Sequence, residues 1–220
     1  MKSVRKDFDN DSLFAVTIPT SEEDVFNMKI PSITGTYEWI AFQDRKLYID
    51  FEIYDSLIQY IKYILYWNKE DQGKKISDRK PINIYIYSPG GDPYIAYSFI
   101  DVLKLSKTPI KLINLGMCAS AAGYIFMCKE NHITRYMLSS AHVLIHDGQI
   151  GLQSSAGKFM DMAETLKQDE KRNKRYILEN TTIKEKLYEK KKRVEWDMTA
   201  SEALKLGVCD VIINDINEVI

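Results

Sequence analysis

Residues 82–123 read INIYIYSPGGDPYIAYSFIDVLKLSKTPIKLINLGMCASAAG, and the periods inside this stretch decide the fold class. Ile82–Tyr87 is a short run of apolar and aromatic residues, the mark of a buried strand. Ser88-Pro89-Gly90-Gly91 ends it. Proline removes a ladder donor there and glycine admits backbone angles that other residues resist. Over about 93–106 the period changes, and Ile95, Phe99, Ile100 and Leu103 fall on one helical face. Residues 110–115 (IKLINL) return to a buried strand, Gly116–Ser120 reads as a turn of small residues, and a helix follows over about 120–129. Such alternation predicts an α/β fold with a largely parallel sheet and right-handed crossovers.

Working outward, Lys46–Phe51 (KLYIDF) reads as a further strand, and Thr36–Ile40 as β-leaning. Leu57, Tyr60, Ile61, Ile64 and Leu65 place an amphipathic helix over 55–69, with Asp55 as its N-cap. The polar stretch 70–80 reads as a loop. Downstream, two short strands are expected near 132–136 and 142–146. A helix of more than 20 residues is expected from about 156, with Phe159, Met162, Ala163 and Leu166 as its apolar stripe. Its middle, 167–175 (KQDEKRNKR), has no apolar residue, which predicts contact with a partner subunit or solvent rather than the chain's own core. Segment 167–193 carries 11 bases and 5 acids, read first as a solvated face. Residues 1–30 show no sustained period, and 1–56 holds 11 acids against 6 bases, so the N-terminus is expected to be mobile or partner-dependent.

Composition narrows the function classes. The chain has 220 residues, 45% hydrophobic and 28% charged, which is ordinary for one globular domain. Its net charge of −1 argues against a dedicated nucleic-acid binder and provides little repulsion between copies. No run of about 18 apolar residues is present, so no membrane span is expected, and the start lacks the apolar core of a secretory signal. Cys118, Cys128 and Cys209 lack metal or redox spacing and read as buried thiols in a reducing compartment.

Ser120 is the polar side chain of Gly116–Gly123, placed between a buried strand and an apolar helix. A hydroxyl there sits beside free backbone N–H groups that can hold an oxyanion. Taken alone, the segment is read first as a helix N-cap serine in a tightly packed turn. The segment is not G-x-S-x-G, so an α/β-hydrolase elbow is disfavoured. His146 closes a strand before the Asp147-Gly148 turn, where a general base can reach a neighbouring strand end; His142 opens the same strand. Gly151–Lys158 fails the P-loop pattern, with five residues between its glycines and Phe159 where Ser or Thr belongs. No helix carries metal-ligand spacing.

Jointly, these segments resemble the proteolytic subunit of the Clp protease, a serine peptidase of the ClpP/crotonase-like fold. Tyr87–Gly91 resembles that family's SPGG turn, Gly116–Gly123 its nucleophile segment and His142–His146 (HVLIH) its base segment. Thr199–Ala203 with Gly207 and Asp210 resembles its closing segment. The match runs over about 45–213.

The resemblance implies a mostly parallel sheet with crossover helices and a protruding handle over about 148–190. It implies a peptidase domain over 36–220, following a divergent segment 1–35. Ser120 would be the nucleophile and His146 the base. The N–H groups of Gly91 and Ala121 would form the oxyanion hole, and residues 148–155 would be the strand that pairs with substrate. Glu195 falls where the family has an Asp, and Asp197 is the alternative acid. In an extended segment both carboxylates share one face, so both are expected to point at His146. Val194 stands where the family usually has Arg, and Asp147-Gly148 where Gln-Pro is common.

The function so implied is a cytoplasmic serine endopeptidase built as a heptameric ring or stacked double ring, without cofactor or metal of its own. Unfolded proteins would be fed to it by a separate AAA+ unfoldase that uses the ATP. A weakly active or inactive ring-building homologue and a crotonase-type acyl-CoA enzyme are the alternatives.

Overall fold

The structure is a computed structural model, which describes residues 33–148 and 155–220. The expectations for residues 1–30 and for the strand over 148–155 therefore lie outside the described residues, apart from Gly148 and Ser155. The chain divides into two compact units, Met1–Lys46 and Leu47–Ile220.

In the first unit, helix α1 spans Ile33–Gln43, which corrects the β-leaning reading of Thr36–Ile40. Aromatic residues favour strands only weakly, and context overrides the preference. In the helix Trp39 and Phe42 stack three residues apart, with ring centroids at 6.3 Å. Arg45, at φ 57, closes it in the left-handed conformation, its N–H donating to Phe42 O at 3.0 Å.

The second unit is built on one seven-stranded sheet ordered β1-β2-β3-β4-β7, with β5 paired to β3 and β6 paired to β5. The strands are β1 (Lys46–Ile49), β2 (Ile82–Ser88), β3 (Ile110–Ala119), β4 (Ile133–Met137), β5 (His142–Ile145), β6 (Trp196–Thr199) and β7 (Val211–Ile212). The β2·β3, β3·β4, β3·β5 and β4·β7 pairs are parallel, and β5·β6 is antiparallel. Helices α2 (Leu57–Glu70), α3 (Pro93–Leu105) and α4 (Ala121–Phe126) make the crossovers. The buried faces interlock through Ile84, Ile86, Phe99, Ile100, Leu112, Ile125 and Phe126, each at most 1% exposed.

Several details depart from the sequence reading. The N-cap of α2 is Ser56, not Asp55, and its side chain makes no capping bond. Strand β3 runs to Ala119 instead of ending at 115, so Gly116–Ala119 is strand and not turn. Along 110–114 this strand pairs with β4, and along 117–119 with β5. The switch is stitched by Asn114, fully buried. Its Oδ1 accepts from Gly116 N at 3.0 Å and its Nδ2 donates to His142 O at 2.9 Å. At Gly116 a Cβ would lie 2.9 Å from the Tyr87 ring, which covers this position and would have to shift.

Beyond the sheet, α5 (Ala156–Asn180) is followed by α6 (Glu185–Lys191) and α7 (Ala200–Lys205). The foot of α5 is fixed by Tyr176 and Ile177, both buried, and by Tyr176 Oη donating to Tyr124 O at 2.9 Å. As expected, no residue of its polar middle, 167–175, is buried, and four of these residues make surface contacts with neighbouring elements. Lys174 Nζ lies 2.7 Å from both Glu185 and Glu189, and Lys192 Nζ lies 2.7 Å from Glu170. The Arg172 guanidinium sits 4.3 Å over the Tyr97 ring, and Tyr97 Oη donates to Asn173 at 2.7 Å. The exposed apolar surface of α5 is instead near its start, at Phe159 (56%) and Met160 (68%).

The closing segment is structural. Arg135 is fully buried, with Nε and Nη2 on Asp210 at 3.0 and 2.6 Å and Nη1 on the carbonyls of Met127 and Asn180. The three thiols are free and buried. Burial raises all three, Cys128 to about 12 and Cys209 to about 11. Among the described residues no helix is long and apolar enough to cross a membrane.

Candidate active site

The carboxyl ends of β2, β3 and β5 meet at one place, as open parallel sheets favour for ligand sites. After β2 the chain turns at Pro89-Gly90-Gly91 and enters α3 through Asp92, whose Oδ1 accepts from Tyr94 N at 2.7 Å. The turn is braced from one side by Ile53: its N–H donates to Gly90 O at 2.7 Å and its carbonyl accepts from Asp92 N at 2.8 Å. From below, the Ser88 hydroxyl donates to Phe51 O at 2.6 Å and accepts from Gly90 N at 3.2 Å.

Both glycines are required by close approach and by positive φ. A Cβ on Gly90 (φ 98) would lie 2.6 Å from Ala119 O, 2.7 Å from Ser120 Cβ and 2.9 Å from Ala121 N. A Cβ on Gly91 (φ 146) would collide with the Ile53 carbonyl oxygen. The SPGG turn is thus laid directly against the end of β3.

Ser120 stands where β3 passes into α4, with φ 52 and ψ −123. A non-glycine residue at positive φ costs on the order of 1–3 kcal/mol and persists only where its surroundings impose it. Here Ser120 N donates to Leu144 O at 2.9 Å, and its carbonyl accepts from Tyr124 N at 3.2 Å. Its side chain makes no capping bond to α4, so the plain N-cap reading fails. Ala121 is the first residue of α4, so its N–H has no acceptor within the helix.

His146 follows β5, two residues beyond Leu144. The β5–β6 register pairs Ile145 with Trp196 and Leu144 with Asp197, so the next residues in line are His146 and Glu195. Their side chains face each other with Nδ1 and Oε1 3.7 Å apart, an ion-pair distance too long for a hydrogen bond. Glu195 and Asp197 share the exposed face as expected, but Asp197 does not turn to His146. Both its oxygens lie 3.0 Å from His142 Nδ1.

Beside His146 opens a cleft of about 460 Å³, walled by Tyr124, Leu166, Tyr188 and Trp196 with Asp169 and Lys192 at its polar side. Burial pushes the Tyr124 hydroxyl well above the usual tyrosine range, which leaves it neutral. Among the described residues no group of three or more His, Cys, Asp or Glu side chains could hold a metal ion.

A family model described as Clp protease matches residues 36–215. The chain belongs to the Clp protease family. It is 30% identical over 139 residues to ATP-dependent Clp protease proteolytic subunit 2 of Treponema denticola, covering 63% of this chain and 69% of that one. To the ATP-dependent Clp protease proteolytic subunit of Porphyromonas gingivalis it is 29% identical over 171 residues, covering 77% and 74%. Its fold superimposes on a point mutant of ClpP1 from Listeria monocytogenes with a TM-score of 0.69 and 22% identity, covering 84% of this chain and 99% of that one. This divergent family member has the family's mostly parallel α/β fold.

Sequence reasoning missed Asn114, Arg135 and the His142–Asp197 pair. Asn114 and Arg135 are polar residues inside mostly apolar strand runs, which is the available signal for a buried polar residue with a dedicated partner.

Proposed function

We propose that this chain is the serine endopeptidase subunit of a ring-shaped protease. Ser120 attacks the scissile carbonyl while His146 takes its proton and later returns it to the leaving amine. The N–H groups of Gly91 and Ala121 receive the oxyanion, and Glu195 orients His146. Residues 36–220 form the peptidase domain, following the segment 1–35.

The observation that carries this reading is the strained Ser120 at the end of β3, with Gly90 laid so close to Ser120 and Ala121 N that a Cβ on it would clash with both. Backbone strain of this kind is kept where a side chain must be presented rather than packed. The Glu195 gap is compatible with it, because such contacts are often long before substrate binds and tighten in the complex.

The chain supplies hydrolysis alone. Unfolded proteins are delivered by a separate ATP-driven AAA+ unfoldase in the cytoplasm. The exposed Phe159 and Met160 on the handle α5 suit burial between copies in a heptameric or double-ring assembly.

The weakly active, ring-building alternative draws on one observation, the 3.7 Å separation of His146 from a Glu195 that is 69% exposed. A fluorophosphonate probe separates the readings. Labelling of Ser120 that is lost in His146→Ala supports the peptidase; no labelling of the assembled protein overturns it.

A further inference from the structure

The exposed face of the β5–β6 ribbon carries two His–carboxylate pairs side by side. Val143, Ile145, Trp196 and Met198 point into the core, so the alternate residues share the opposite face. On that face Asp197 lies opposite Leu144. It is therefore the diagonal neighbour of both His142 and His146, roughly 7–8 Å away in each direction and within reach of either imidazole. The two histidines compete for one carboxylate, and His142 holds it, with both Asp197 oxygens at 3.0 Å.

We propose that His142 is a positioning residue: by holding Asp197 it withdraws the second carboxylate from His146 and leaves Glu195 as the acid that faces the base. This rests on the Ser120–His146 reading. Two free carboxylates beside His146 would stabilise its protonated form and leave less neutral base at a given pH. His142 Nδ1 engages both Asp197 oxygens and so keeps that carboxylate turned away from His146.

The other charged groups around His146 are the same in every variant below, except Glu195 where it is itself replaced. They are Glu195 just before β6 and Asp147 after His146, and, around the cleft that His146 shares with Ile145 and Trp196 of the other face, Asp169 and Glu170 on α5 and Lys191, Lys192 and Arg193 at and just after the end of α6. Glu202 of α7 is turned to the opposite face, where it accepts from Trp196 Nε1 at 3.2 Å. β3 contributes Met117 next to His142 and no charge.

The two halves of the pair then act with opposite signs. His142→Leu frees a carboxylate and removes an imidazole, so the acid limb of the pH–rate profile moves to higher pH. Asp197→Asn removes the carboxylate and keeps the imidazole, so the limb stays or moves to lower pH. A merely structural pair would show one shared defect.

The experiment uses the assembled full-length protein. Peptide hydrolysis is followed against pH in His142→Leu, in His142→Gln as a polar uncharged second choice, and in Asp197→Asn. The titration midpoint of His146 is read separately, from hydrogen–deuterium exchange at its ring carbon in the Ser120→Ala background. Glu195→Gln alone is then compared with Glu195→Gln/His142→Leu, in which Asp197 is free to turn to His146.

The expected result is a higher His146 midpoint in both His142 variants but not in Asp197→Asn. Partial recovery of the Glu195→Gln loss, about tenfold, is expected on adding His142→Leu and is abolished by adding Asp197→Asn. Equal midpoints in the His142 and Asp197 variants overturn the proposal. Full activity of Ser120→Ala would instead overturn the peptidase reading, which the exchange measurement does not use.

Discussion

His146 and Glu195 face each other at the open end of the β5–β6 ribbon with Nδ1 and Oε1 3.7 Å apart. The relationship is set by register, since each is the next residue beyond the Ile145–Trp196 pair. Nothing in the local sequence of either segment states it.

If Glu195 orients His146, Glu195→Gln lowers kcat roughly 10²–10⁴-fold by favouring the wrong tautomer. Asp197→Asn alone changes kcat little, because Asp197 is held by His142. Steady-state hydrolysis of a fluorogenic peptide checks both; the reverse pattern would transfer the role to Asp197.

Ser120→Ala removes the nucleophile and relieves no packing defect, so the fold should persist while hydrolysis falls by about 10⁴–10⁶. Circular dichroism and peptide turnover on one sample decide this. Hydrolysis within about tenfold of the parent would end the serine-peptidase reading.

Gly90→Ala would place a methyl group 2.6 Å from Ala119 O and 2.9 Å from Ala121 N, at a φ of 98. The SPGG turn must then retreat from the end of β3. The expected outcome is a loss of fluorophosphonate labelling at Ser120 far larger than any loss of thermal stability. Labelling at the parent rate would show that the approach is not needed.

Asp210→Ala leaves Arg135, which has no exposed surface, without its counter-charge. Breaking a buried pair in this way costs about 3–5 kcal/mol. Burial raises Asp210, but the Arg135 hydrogen bonds outweigh it and hold the carboxyl below its ordinary value. A depressed carboxylate contributes stability above its unfolded value and loses it as pH falls, so the penalty should shrink below about pH 4. Urea unfolding at pH 7 and at lower pH tests the sign.

Replacing the exposed Phe159 and Met160 by Glu should weaken assembly through α5 without unfolding the subunit. Sedimentation should show the parent well above its 25.5 kDa chain mass and the double variant shifted to smaller species. A parent that stays monomeric at micromolar concentration would contradict the ring.

Much of the fold was readable because its signals are local. The apolar run of β2, the 3–4 spacing of Ile95, Phe99, Ile100 and Leu103, and the long helix after 156 all express the period of a single element. The segments around Gly90 and Ser120 were readable as places where the chain needs small residues. Helix α1 was misread because a few aromatic and β-branched residues are a weak prior against helical packing. The end of β3 was misread because Gly116 resembles a turn residue until Tyr87 is seen lying over it.

By itself, then, the sequence determined the alternation of strands and helices, the burial of the three thiols and the small-residue segments that crowd the site. Tertiary structure alone decided how the distant pieces meet. Asn114 moves β3 from β4 to β5, Arg135 spends its guanidinium on Asp210, and the β5–β6 register sends Glu195 to His146 and Asp197 to His142. The reason is physical: a period is set by neighbours along the chain, but register is set by which faces must be buried together, and those faces belong to segments far apart in sequence.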